Sequence, residues 1–135
     1  MLSYEVIYVR FWKNLLLFIM GGGAYVGLEF LWRGRSHISM FAAGGLCFLL
    51  LGKLHRASPS WPLFFKGMAG AGIITSVELL TGLIANRNFT VWDYRQLPLN
   101  LWGQICLPFS LLWMPLSLLA IFLYQKIDRL LSAHF

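Results

Sequence analysis

Two glutamates, Glu29 and Glu78, stand inside long apolar runs: Met-Gly-Gly-Gly-Ala-Tyr-Val-Gly-Leu-Glu ends at the first and Ala-Gly-Ala-Gly-Ile-Ile-Thr-Ser-Val-Glu at the second. An ionised carboxylate in hydrocarbon costs on the order of a few kcal/mol unless it is paired or hydrated, so both acids are expected to face a polar interior. Three uses fit such a pair. It can hold a proton, a cation or a cationic solute. It can act as an acid/base pair, in which desolvation and a like charge keep one carboxyl protonated and the other ionised. Or it can be an ion-pair cluster that fixes helix register, with Arg33 one turn beyond Glu29 and Arg87 and Arg95 nearby as partners.

A third acid, Asp93, is expected at the same end, in Trp92-Asp93-Tyr94-Arg95 followed by Pro98 and Asn100. That connection is long and mixes aromatic, acidic, basic and amide groups, as a lid or a pocket wall would. The plainer use of the same residues is an interfacial Trp and Tyr anchor beside a surface salt bridge. If the chain is an enzyme, Glu29, Glu78 and Asp93 are the catalytic candidates.

The elements that must position these groups follow from composition. With 59% hydrophobic residues, 12% charged and a mean hydropathy of +0.69, the 135-residue chain is excluded from the water-soluble class. Its net charge of +6 comes from basic residues scattered singly between apolar runs, which gives no stripe for nucleic acid. A helix needs about 20 apolar residues to cross a bilayer core. Four runs qualify, at about 14–32, 38–54, 63–85 and 101–124. None alternates with period two, as barrel strands would.

The expected fold is an all-α, integral membrane four-helix bundle in one domain, multi-pass in the cell membrane. The first run continues to Trp32 without a cleavage signature and reads as a retained span. Pro108 and Pro115 are expected to kink the fourth. Seven basic residues (Arg10, Lys13, Lys53, Arg56, Lys66, Lys126, Arg129) flank one side and four (Arg33, Arg35, Arg87, Arg95) the other, which predicts cytoplasmic termini. Aligning residues 21–29 with 70–78 pairs Gly23, Gly27 and Glu29 with Gly72, Ser76 and Glu78, as two parallel two-helix repeats would. The small residues are expected to let helices approach closely, while each acid points elsewhere.

Other chemistry is not signalled. Cys47 and Cys106 have no metal spacing, and His37, His55 and His134 fall in loops or at the terminus, so no metal and no cofactor is expected. No Walker-type phosphate loop occurs, so any ATP hydrolysis would come from another subunit. The expected partners are membrane lipids and a second copy or a partner membrane subunit, because four helices are thin walls for a solute path.

Gly-Gly-x-Tyr-x-x-x-Glu-x-x-Trp-Arg-Gly at 22–34, Glu78 with Gly82, and Trp92-Asp93-Tyr94 followed by Pro98, Asn100 and Gly103-Gln104-Ile105 are the most distinctive motifs. In these the chain resembles the putative ABC-transporter type IV family, also called CmpB-like and often labelled permease. The resemblance implies an integral membrane protein and a permease-like transport component. It carries over Tyr25, Glu29, Trp32, Arg33, Glu78, Asp93, Tyr94 and Asn100 as binding candidates, to which the loop aromatic Trp92 is added. The family pattern has Ser after the Asp-Tyr pair, where this chain has Arg95.

Overall fold

The computed structural model describes residues 4–34 and 36–134; of Trp32, Arg33 and His134 it describes the backbone alone. In chain order the elements are α1 (Tyr4–Arg33), α2 (Ile38–Ala57), α3 (Leu63–Ala85), the short strands β1 (Asn100–Leu101) and β2 (Ile105–Cys106), and α4 (Leu107–His134). All four helices are long and apolar enough to cross a membrane. The chain is therefore the all-α, four-helix membrane protein that its composition predicts, with large side chains such as Leu31, Ile38 and Ile84 on its outer surface.

Local chemistry sets the helix ends. Gly34 closes α1 in the left-handed region, φ +73°, with its N–H donating to Phe30 O at 2.9 Å. His37 caps α2, its Nδ1 accepting from the Ser39 N–H at 3.1 Å. Four ends differ from the hydropathy reading. Helix α1 begins at Tyr4, since basic side chains with long stems do not stop a helix that leaves the apolar layer. Helix α2 runs to Ala57, which places His55 in its last turn and not in a loop. Helix α4 starts at Leu107 and not near 101, and it runs to His134, past the expected 124.

The residues before α4 form a hairpin. Asn100 pairs with Cys106 and Leu101 with Ile105, antiparallel, and Trp102 and Gly103 turn the chain at φ 54° and 68°. Pro108 then sits in the first helical turn, where a missing N–H leaves no bond unmade.

Two closely packed helical hairpins, α1 with α2 and α3 with α4, make up the bundle. Backbone glycines receive aromatic knobs across the first pair: a side chain on Gly44 would collide with Tyr25, one on Gly45 with Phe18, and one on Gly21 with Phe48. These are not the glycines that the repeat nominates. Open space faces Gly23, Gly27 and Gly72, and Ser76 is exposed, so that small-residue register points out of the bundle. At 100° per residue the packed face falls on the neighbouring positions Gly21, Gly22 and Gly70.

The central core, including Cys47, Leu51, Ile74, Val77 and Ile121, joins α2, α3 and α4. At one end of the bundle the Lys13 ammonium pairs with Asp128 at 2.8 Å and bonds Ser132, tying α1 to α4. At the same end His55 meets Lys66 and Gln125, and Arg56 donates to the Tyr124 hydroxyl.

Candidate carboxylate site

Glu78 projects from α3 into the bundle and is 7% exposed. Its Oε2 accepts from the Tyr94 hydroxyl at 2.8 Å and its Oε1 from Trp113 Nε1, on α4, at a longer 3.4 Å. Glu29, on α1, is 8% exposed. One turn before it, the Tyr25 hydroxyl is hydrogen-bonded to Glu29 and lies within electrostatic reach of Glu78 as well. Tyr25 is held there because its ring lies over Gly44. Tyr94 is in turn within reach of Tyr25. The four side chains thus form a sequence, Glu29, Tyr25, Tyr94, Glu78, that crosses from one helical hairpin to the other. Burial, and after it the charge of Glu78, pushes the Tyr94 hydroxyl up from the ordinary phenol value, which keeps it protonated as a donor.

The loop that delivers Tyr94 is organised by Asn86, the residue that ends α3. Its side-chain oxygen accepts from the N–H groups of Val91 and Trp92, and its amide donates to Trp92 O at 2.6 Å and to Gln104 Oε1 at 2.9 Å. Gln104 returns a bond to Asn86 O, and the Trp92 indole donates to Gln104 O. Gln104 reaches α3 because Gly82 leaves room for it. Tyr94 N–H donates to Gly103 O, and its ring stacks on Phe109 at 5.0 Å and 9°. A fully buried amide network sets the loop, and the loop sets the phenol.

Among the residues the sequence nominates, Tyr25, Glu29, Glu78 and Tyr94 come together. Trp92 is buried beside them as part of the loop's support, against Met40 and Val91. Asp93 does not join: it faces outward and is chelated by Arg95, with bonds of 2.9 and 2.7 Å. That hydrogen bonding holds the Asp93 carboxyl down at about 2. Asn100 is exposed and shapes the hairpin, bonding Leu97 O and the Gly103 N–H. The side chains of Trp32 and Arg33 lie outside the described residues. The other expected cations bind elsewhere, Arg87 to Leu83 O and Arg95 to Asp93 and the Phe89 ring.

Asn86, Gln104, Phe109 and Trp113 take part without having been nominated. A polar residue directly after an apolar span, as Asn86 is, is the signal that marks it. Trp113 lies inside an apolar run and has no comparable mark. Among the described residues, no cluster of three or more His, Cys, Asp or Glu is arranged to hold a metal ion.

A groove of about 410 Å³ runs between α1 and α4 over a floor of α2 and ends at Tyr25, Glu29 and Tyr94. Its walls are otherwise almost wholly apolar, and Leu28, Leu112 and Leu119 on its rim are more than half exposed. The buried polar sequence therefore opens sideways, toward the lipid-facing surface, at the Glu29 end.

No curated protein and no solved structure matches the chain. A family model does match, over residues 30–134, so it takes in Glu78, Tyr94 and the whole loop and begins one residue after Glu29. By that match the chain belongs to the family described as Putative ABC-transporter type IV.

Proposed function

We propose that this protein is a permease-like transport component whose solute site is the polar sequence between the two helical hairpins. The observation that carries the reading is that Glu29 and Glu78, one from each hairpin, are both buried and both act on Tyr25. A cation or a proton held there interacts with both halves of the molecule. Movement of α1 and α2 against α3 and α4 then changes the site and its access together, which is what alternating access requires. The family membership supports the same reading.

In this proposal the termini lie on the cytoplasmic side and the carboxylates in the outer half of the membrane. A second copy or a partner membrane subunit completes the solute path, and any ATP hydrolysis belongs to another chain. The test is uptake of labelled ethylammonium into proteoliposomes containing the purified protein. Glu29→Gln and Glu78→Gln should each lower uptake by about tenfold or more, as loss of a buried charge partner does. Uptake no faster than in empty liposomes, or unchanged in both variants, overturns the proposal.

The sideways groove favours a second reading, a membrane-embedded enzyme that acts on an amphiphile with Glu29 and Glu78 as its acid/base pair. Conversion of a bound amphiphile by the wild-type protein, absent in Glu78→Gln, would establish it. Uptake with no chemical change would exclude it.

A further inference from the structure

The shape of the groove bears on what could lie in it. Its α4 wall extends from Phe109 to Ile127, about 27 Å at 1.5 Å per residue, close to the thickness of the hydrocarbon core. The α1 wall, Met20 to Glu29, is about half as long, and a volume of 410 Å³ spread along the α4 wall corresponds to a mean enclosed section of about 15 Å². A helix with its side chains is about 10 to 12 Å across and needs several times that section. Carbon atoms in contact sit about 3.5–4.0 Å apart, so one hydrocarbon chain fills the enclosed part of the groove.

The two ends are unlike. At the Ile127 end the walls are apolar, and the next residue of α4, Asp128, pairs with Lys13. At the other end it meets Tyr25, Glu29 and Tyr94. A chain therefore lies with its tail toward Ile127 and its head at Glu29. Bilayer lipid is as apolar as these walls, so what the chain gains in the groove is close packing against them and not removal from water. Discrimination between amphiphiles falls to the head, where, among the described residues, Glu29, the phenols of Tyr25 and Tyr94 and the Trp113 indole supply the polar groups.

We propose that the solute is a single-chain cationic amphiphile, its chain in the α1–α4 groove and its ammonium head at Glu29. This rests on the transport reading for the head site and adds the chain. It also explains how so small a bundle gains access to its solute, through the open side of the groove and not through a pore along its axis.

The experiment is equilibrium binding to the purified protein in nanodiscs of zwitterionic lipid, with four probes: dodecylammonium, dodecyl sulfate, didodecyldimethylammonium and the chainless ethylammonium. Dodecylammonium should bind saturably and about tenfold or more tighter than each of the others, a difference of about 1.4 kcal/mol. Ala24→Phe and Leu112→Trp, both on exposed groove walls, should each weaken dodecylammonium by about tenfold and leave ethylammonium unchanged. If ethylammonium binds and dodecylammonium binds no tighter, or if neither groove variant matters, the chain assignment falls while the carboxylate site stands. Preference for dodecyl sulfate overturns the head assignment, equal binding of the two-chain cation overturns the single-chain assignment, and binding of none of the four overturns both proposals.

Discussion

The Tyr94 hydroxyl donates to Glu78 at 2.8 Å from outside the helices, so a loop residue and an intramembrane acid are a single polar unit. Tyr94→Phe should remove that bond, leave the ring stacked on Phe109, and destabilise the protein by about 1–3 kcal/mol, as for a bond to a buried acid. Glu78→Ala strands both the phenol and the Trp113 N–H and should cost at least as much. Thermal unfolding in detergent of the two single variants and the double variant provides the check: a coupling near zero would mean that the two side chains do not act together.

Asn86 should prove the most sensitive loop position. It is fully buried, and its side chain holds Val91, Trp92 and Gln104 at once. Asn86→Ala is expected to cost about 3 kcal/mol or more, because it leaves several buried groups unpaired, each worth about 1–3 kcal/mol. Limited proteolysis should show new cleavage between residues 87 and 106 with the helices intact. Cleavage no faster than in the wild type would mean that the hairpin holds the loop without Asn86.

Gly44 predicts a different failure, one of shape. A valine there has to displace the Tyr25 ring, and overpacking of this kind costs about 1–3 kcal/mol. Since Tyr25 sits between the two carboxyls, Gly44→Val should impair solute binding more than Gly23→Val, which meets open space. Equal binding by the two variants would show that Tyr25 is not positioned by the α1–α2 contact.

Asp93 supplies the pH prediction. Its folded value, about 2, lies below the ordinary 3.8. The interaction with Arg95 is therefore fully present above about pH 4 and is lost as the pH falls through about 2. A carboxyl-carbon NMR titration should give a midpoint near 2 for the wild type and one near 3.8 in Arg95→Gln. A wild-type midpoint near 3.8 would show that the pair does not form in solution.

The span count and the two acids were legible because apolar length and a buried charge are both strong signals over a short window. Three features were not. The hairpin before α4 is itself apolar, so hydropathy merges Leu101 with the helix; only Gly103 and Pro108 mark the break. The packed glycine register is hidden because Gly21 to Gly23 run consecutively, and each one-residue step rotates the face by 100°. Asp93 lies at the same end as the glutamates by position in the sequence, but Arg95 is two residues away, and local chelation by it turns the carboxylate outward.

The central claim is that Glu29 and Glu78 form one site. Infrared difference spectroscopy of the carboxyl bands, on adding dodecylammonium to the protein in nanodiscs, tests it most directly. The account predicts a carboxyl difference band in the wild type that is lost in Glu29→Gln and in Glu78→Gln alike, since each acid completes the site for the other. A band that survives in one of these variants at full intensity would show that a single carboxylate binds alone, and would contradict it.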